Sequence, residues 1–320
     1  MTNKQILSAA NSRLNEATYN PKKLILIHAG ITALVTLLGS ILSHLMTNSM
    51  DNAVGLAGIG TRTGLSFFRT ILLLATTVAM PFWSLGYTRA AVLYAKGDTP
   101  KPSDLLTGFR RFFPALRMML IQMAAIFVVL FLTVQLATTV FMVSPLGLMF
   151  MEQTEGILSP DMPMSEAILT EEVMEQLMPS LTPVYIIWAV LSLVALLFLS
   201  YRFRFAAYAL MDEAAGARAA FRLSFHGTRR RWRQLVKLDL RFWWYYGLAL
   251  LIALVSYLDV LLPMLGVAMD AEVAFWVFYL LGQVCNLALQ IFCTPKIQTA
   301  YALFFRLPKA ENLCYDRLRN

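Results

Sequence analysis

Charged residues are scarce in this chain. They make up 14% of its 320 residues, whereas 58% are hydrophobic and the mean hydropathy is +0.61. Ordinary soluble domains carry about 25% charged residues, and a soluble fold with so few charges could not cover its own surface. The composition therefore excludes an ordinary soluble protein and indicates that most of the surface faces lipid.

Residue sets that carry enzyme chemistry are also missing. The three cysteines, Cys285, Cys293 and Cys314, form no C-x-x-C pair and give no sign of a redox or thiol metal site. No H-E-x-x-H or G-x-S-x-G motif occurs. The glycine-rich stretch "GLAGIGTRTG" follows a predicted spanning helix rather than a strand, which argues against a nucleotide site. We therefore predict no enzyme activity and no cofactor or metal.

A cleavable secretory signal is not apparent at the N-terminus. Such a signal has a short basic start followed at once by an apolar core. Here "MTNKQILSAANSRLNEATYNPKK" stays polar for its whole length. Residues 1–23 are instead predicted to form a cytoplasmic amphipathic segment.

Six stretches are long and apolar enough to span a bilayer, which needs about 20 mainly apolar residues per helix. They lie at about 24–46, 66–92, 118–143, 183–201, 242–262 and 273–295. The sequence therefore predicts an all-α, six-span transmembrane helical bundle that occupies residues 24–305. Residues 306–320 are the predicted cytoplasmic tail.

Basic residues concentrate on one side of these spans. The N-terminus, the loops at 96–117 and 202–241, and the C-terminal part hold 24 of the 27 Lys and Arg residues. Basic loops are retained in the cytoplasm, so we predict a cytoplasmic-membrane protein with both termini inside. The run from Arg229 to Arg233 is interpreted mainly as a topology anchor. The stretch "FWWYY" that follows is interpreted as the aromatic belt at the inner interface. Nucleic-acid binding is the disfavoured explanation of these cations.

The segments between the spans are predicted to include surface helices. Each cytoplasmic basic loop joins a Gly-x-Arg-Arg segment to a span and is predicted to form an interfacial amphipathic helix. The predicted contacts to anionic lipid are Arg110, Arg111, Arg229, Arg230, Arg231 and Arg233. The outer loop at 144–182 carries seven acidic and no basic residues. Within it, a short amphipathic helix is predicted between Ser165 and Pro179.

Two long motifs resemble a known family. "AAYALMDEAAGARAAFRLS" with "LDLRFWW", and a final span that ends in "TPKIQTAYALFF", are similar to the bacterial integral-membrane domain-of-unknown-function family nine-seven-five. The matching positions are Tyr208, Asp212, Ala220, Ser224, Leu238, Asp239, Leu240, Phe242, Trp243, Pro295 and Ala302. The resemblance implies a multi-pass membrane fold. It implies no activity, because that family has no assigned catalytic residues.

Polar residues form two rows inside the predicted spans. The first span carries His28, Thr32, Thr36, Ser40 and His44, spaced four residues apart, and the sixth carries Gln283, Asn286 and Gln290. Such residues commonly let helices approach and hydrogen-bond, which makes each row a packing seam. The alternative is a polar path between the first and sixth spans, with the two histidines as protonatable stations.

Two function classes follow from these patterns. The favoured one is a non-catalytic membrane component that binds anionic phospholipid headgroups or a membrane protein partner. The alternative is a transporter or channel-like protein. No acidic residue lies in the middle of a predicted span, and a proton-coupled pump usually needs a buried carboxylate or equivalent relay. That argues against the pump class.

Overall fold

Helices account for the regular structure in the described part of this protein. The computed structural model describes residues 2–51, 55–145, 147–149, 151, 171–213, 216–229, 231–256, 258 and 271–311, and contains no strand in these ranges. Within these ranges, six helices are long and apolar enough to cross a membrane. The candidate spans are Pro21–Thr47, Arg62–Lys96, Phe112–Val143, Thr182–Asp212, Trp232–Val255 and Phe275–Arg306. The predicted all-α, six-span fold is confirmed.

The order of elements follows the predicted spans. The helices used below, all from the described residues, are α1 Asn3–Glu16, α2 Pro21–Asp51, α3 Gly55–Lys96, α4 Thr107–Arg110, α5 Phe112–Val143, α6 Glu171–Phe203, α7 Ala206–Glu213, α8 Ala217–Arg229, α9 Trp232–Asp239, α10 Trp243–Ser256 and α11 Ala271–Glu311. Two 3-10 turns, Pro102–Leu106 and Leu240–Phe242, precede α4 and α10.

Local capping interactions explain where α1 begins and where α3 ends. The helix α1 begins with a capping box, in which Thr2 and Gln5 each bond the other's backbone. The helix α3 ends at Gly97, whose φ of 85° is the left-handed conformation that glycine adopts without strain. There the amide of Asp98 bonds the carbonyl of Leu93 at 3.0 Å, the arrangement of a Schellman cap.

The chain divides into two compact units, of which the smaller is Arg117–Arg204. In this unit the hydroxyls of Thr133 on α5 and Ser192 on α6 lie 2.9 Å apart, and both side chains are buried. Hydrogen bonds of this kind between spanning helices contribute about 0.6 kcal/mol each. Small polar residues therefore join α5 to α6.

The larger unit consists of Met1–Leu116 and Phe205–Asn320. Its buried core includes a cluster made by α2, α3 and the turn before α4: Leu24, Ile25, Trp83, Tyr87, Ala90, Tyr94 and Leu105. Away from this core, long apolar side chains on the spans are exposed; Leu38 and Leu74 are 56% and 64% exposed. Such exposure is expected of helices whose outer surface faces lipid rather than water.

Two glycines let α3 meet the segment before α5 backbone to backbone. A Cβ added to Gly86 would lie 1.7 Å from the carbonyl oxygen of Leu105. One added to Gly108 would lie 1.9 Å from that of Phe82. This contact corrects one prediction: instead of an amphipathic surface helix, residues 102–110 form a 3-10 turn and the one-turn α4. The segment folds against α3 because the two glycines permit the close approach.

The second basic loop does form amphipathic helices, α8 and α9. Their buried faces include Ala217, Ala220, Phe221, Ser224, Thr228, Leu235 and Leu238. The helix α1 likewise buries Ile6 and Ala10 on one face. Only part of the 144–182 segment is described, since residues 152–170 lie outside the described residues.

The predicted helix end at Pro179 is wrong. The helix α6 begins at Glu171 and continues through Pro179 and Pro183 to Phe203. A proline removes one backbone donor, but a helix that continues into an apolar span keeps its other hydrogen bonds. Spanning helices tolerate proline for this reason.

Candidate functional site

His28, the first member of the polar row on α2, packs against α3. Its ring stacks on Trp83 with 5.3 Å between centroids and lies 5.0 Å from the ring of Tyr87. The Trp83 indole Nε1 donates to the backbone carbonyl of His28 at 3.1 Å. Neither ring nitrogen of His28 has a hydrogen-bond partner among the described residues. The imidazole is therefore held as a packed ring.

The next two members of the row bond their own helix. The hydroxyl of Thr32 donates to the carbonyl of His28 at 2.9 Å, and that of Thr36 to Thr32 at 2.8 Å. This bond to the carbonyl four residues back satisfies a hydroxyl without a neighbouring helix. In the described part of the chain, neither of these hydroxyls bonds another helix.

The last two members meet α11. The hydroxyl of Ser40 lies 2.8 Å from that of Tyr279, and the ring of His44 meets Trp276 edge-on at 5.4 Å. A spacing of four residues turns a helix by about 400°, so the row winds around α2. The row thus faces α3 at one end and α11 at the other.

The amides predicted on the sixth span make a separate contact. Gln290 Nε2 donates to Asn286 Oδ1 at 3.3 Å, one turn apart on α11, and Gln283 is half-buried. The α11 residues that meet the polar row are instead Tyr279, Phe275 and Trp276. Sequence reasoning missed this aromatic group, although its spacing places Phe275 and Tyr279 on one face.

A cavity of about 500 Å³ lies between α2, α3 and α11. Its wall includes Thr36, Gly39, Ser40, Ser43, His44, Thr47, Arg69, Thr76, Thr77 and Phe275. The structure therefore brings three residues of the predicted row together with Arg69, a cation that sequence reasoning did not place in any site. We call this space the Arg69 cavity.

The predicted lipid contacts divide into exposed and internal residues. Arg110, Arg229 and Arg233 are exposed, and Arg230 lies outside the described residues. Arg231 stacks over the Phe304 ring at 4.5 Å and donates to the side chain of Gln234. It thus joins α9 to α11.

Arg111 belongs to a second internal contact, at the C-terminus of α7. It donates to the carbonyl of Leu210 at 2.6 Å, and Arg89 donates to that of Met211 at 2.7 Å. Cations at the last carbonyls of a helix stabilise it through hydrogen bonds and the helix dipole. Burial, and to a lesser extent the neighbouring Arg89, lowers the pKa of Arg111 from its usual value.

Asp212 completes this contact. Its side chain is 2% exposed, and its carboxylate lies 2.7 Å from Lys96 Nζ and 3.7 Å from Arg306 Nε. The same region holds Tyr301, whose hydroxyl donates to Asp239 at 2.6 Å. These partners come from helices far apart in sequence, so their pairing gave no local signal. We call Arg89, Lys96, Arg111, Asp212 and Arg306 the α7 anchor.

A pair of substitutions at His28 separates packing from proton transfer. We expect His28→Phe to leave the melting temperature nearly unchanged, because a ring of similar size keeps the stacking and no side-chain hydrogen bond is lost. His28→Ala removes the ring and is expected to cost about 2–4 kcal/mol. Thermal melting of both variants in detergent measures this difference. Equal destabilisation by Phe and Ala would show that the imidazole nitrogens matter.

Among the described residues, no group of three His, Cys, Asp or Glu side chains is placed to hold a metal ion. No protein-family model, no curated protein and no solved structure matches the chain.

Proposed function

We propose that this multi-pass membrane protein is a non-catalytic component of the cytoplasmic membrane and binds anionic phospholipid headgroups through α8 and α9. The observation that supports this most is the two-sided character of these helices. One side is buried in the protein, and the other exposes the cations Arg218, Arg222, Arg229, Arg233 and Lys237; Arg241, also exposed, follows in the 3-10 turn after α9. We call this exposed side the basic face.

Exposed aromatic and aliphatic residues lie among these cations. Trp232 and Leu240 are 55% and 63% exposed, and Trp243, at the start of α10, is 69% exposed. Tryptophan favours the headgroup level of a membrane, where its ring is half in apolar surroundings. Cations there attract anionic lipid by about 1 kcal/mol each at low salt. Exposed cations and tryptophans within one segment of the chain fit a lipid interface better than a water-exposed face.

A non-catalytic role also agrees with what the residues that carry the family resemblance do in the structure. On the basis of those residues we propose that the chain belongs to that family. Asp212 is paired with Lys96 and Arg306, Ser224 accepts the amide of Phe205, and Asp239 accepts from Tyr301. Each of these side chains joins one element to another.

The alternative, a transporter between the first and sixth spans, has the Arg69 cavity in its favour. Two contacts argue that the polar row of α2 packs against neighbouring helices and does not line a transport path: His28 stacks on Trp83, and Ser40 pairs with Tyr279. A proteoliposome flux assay on His28→Phe and His44→Phe separates the two. Normal melting with altered flux in these variants would favour transport.

The lipid proposal is tested with Arg229, Arg233 and Lys237 all changed to Gln. In nanodiscs at low salt, we expect this variant to lose most of the parent's preference for spin-labelled phosphatidylglycerol over phosphatidylcholine, measured by electron paramagnetic resonance. High salt should lower the parent's preference toward that of the variant, because exposed charges are screened within about 10 Å at 0.1 M salt.

The matched control keeps the charge at the same positions, with Arg229→Lys, Arg233→Lys and Lys237→Arg. It should retain the preference of the parent. If the neutral variant associates with phosphatidylglycerol as strongly as this control does, the basic face sets topology alone and the lipid proposal is refuted.

A further inference from the structure

Arg69 is a cation on a membrane-spanning helix without a carboxylate partner among the described residues. It lies in the second span, Arg62–Lys96, and its one hydrogen bond there runs from Nη1 to Thr47 Oγ1 at 3.2 Å. Its Nε is buried and has no hydrogen-bond partner in the described part of the chain. Ionisable residues within spanning segments commonly face cavities and mark binding sites or pathways.

Thr47 holds the guanidinium in place. Its hydroxyl donates to the carbonyl of Ser43 at 2.9 Å and so is left to accept from Arg69. Threonine on a helix thus orients one edge of the guanidinium and leaves the remaining donors for another group. A guanidinium presents its N–H donors in a planar fork that matches phosphate oxygens.

The wall of the Arg69 cavity contains both polar and apolar side chains. Besides Arg69, its wall carries hydroxyls and imidazole from the polar row of α2, and it also includes Val35, Leu73, Met80 and Phe275. An amphiphile suits such a wall better than a fully hydrated ion does, because an ion would leave the apolar residues unused.

The position of Arg69 along α3 fits the headgroup level of a bilayer. Twenty residues separate it from Arg89, which belongs to the α7 anchor. At 1.5 Å per residue this is about 30 Å, the thickness of the hydrocarbon core. With Arg89 at one interface, Arg69 reaches the other. Exposed Leu38 and Leu74 provide an apolar surface on the two helices beside the cavity.

We propose that the Arg69 cavity binds the phosphate group of a lipid, with Arg69 donating to the phosphate oxygens and the acyl chains lying against the apolar wall. This site uses none of the residues of the basic face. The proposal therefore stands or falls independently of the proposed function.

The test uses short-chain phosphatidylglycerol with the full-length protein in a non-ionic maltoside detergent. At 0.5 M NaCl the exposed cations of the basic face are screened. We expect the lipid to raise the melting temperature of the parent. Arg69→Gln should need about tenfold more lipid for the same rise, a change of about 1.4 kcal/mol, because it removes the charged donor of the hydrogen bonds to phosphate.

Three further variants control the result. Arg62→Gln removes an exposed cation of the same helix that does not line the cavity and should respond to lipid as the parent does. The basic-face variant, with Arg229, Arg233 and Lys237 changed to Gln, should also respond normally. Thr47→Val removes the hydroxyl that orients Arg69, keeps the volume, and should weaken the response even if Arg69→Gln fails to fold.

Two control compounds, each with only one part of the lipid, test whether the cavity binds a lipid phosphate or a soluble phosphate. Glycerol phosphate has the anionic group without chains, and short-chain diacylglycerol has the chains without phosphate. We expect neither to raise the melting temperature at the concentrations at which phosphatidylglycerol does. An equal rise with glycerol phosphate would assign the same site to a soluble phosphate.

An equal rise with diacylglycerol, or a response of Arg69→Gln and Thr47→Val equal to that of the parent, would overturn the proposal.

Discussion

Gly86→Ala is expected to destabilise the protein by about 3 kcal/mol or more, and Gly108→Ala by a similar amount. In each variant the new methyl group would lie within 2 Å of a backbone carbonyl oxygen, that of Leu105 or Phe82. Overpacking of a side chain typically costs about 1–3 kcal/mol. A backbone atom cannot change rotamer, so α3 must separate from the turn before α4 in one variant and from α4 itself in the other.

Gly30→Ala is the matched control. Gly30 also lies within a helix, α2, but nothing lies within 4 Å of a Cβ added there. Alanine is favoured over glycine in a helix by about 0.5–1 kcal/mol, so this variant should melt at or above the parent temperature. The measurement is thermal unfolding of the three variants in one detergent. If Gly86→Ala melts at the same temperature as Gly30→Ala, the close contact between α3 and the turn is absent.

Asp212→Asn is expected to cost about 2 kcal/mol. Removal of one partner from a fully buried ion pair costs about 3–5 kcal/mol. The effect here is smaller because Lys96 and Arg306 are 27% and 31% exposed, so water partly solvates them when the carboxylate is gone. The α7 anchor should loosen, with faster hydrogen exchange at the C-terminal end of α7.

Asp98→Asn provides the comparison for Asp212→Asn. Asp98 is an exposed residue just beyond α3, and its substitution should change the melting temperature little. Hydrogen exchange and melting of the two variants, measured side by side, test the assignment. Asp212→Asn with parent-like stability and exchange would show that Lys96 and Arg306 do not depend on the carboxylate.

The spans were predictable because bilayer thickness imposes a length on each apolar run. All six predicted stretches overlap the candidate spans, including the first at 24–46 and the last at 273–295. The end predicted at Pro179 failed because proline marks a helix end in water more strongly than beside an apolar span. The surface helix predicted near Arg110 failed because the packing of Gly86 and Gly108 depends on residues about twenty positions apart.

The candidate site was predictable only in part. The four-residue spacing from His28 to His44 drew attention to a polar row, and three of its members line the Arg69 cavity. Arg69 itself is one arginine on another helix, and nothing in its local sequence places it beside Thr47. The α7 anchor escaped detection for the same reason, since its residues come from α3, α7, α11 and the segment before α5.

Orientation is the claim on which the lipid proposal depends, and cysteine labelling in intact cells tests it most directly. In a background without Cys285, Cys293 and Cys314, one variant carries Gly60→Cys and another His226→Cys, both at exposed positions. We expect an impermeant thiol reagent to label the cysteine at position 60 in intact cells and the one at position 226 only after lysis. Labelling of position 226 in intact cells would contradict it, because the basic face would then lie outside.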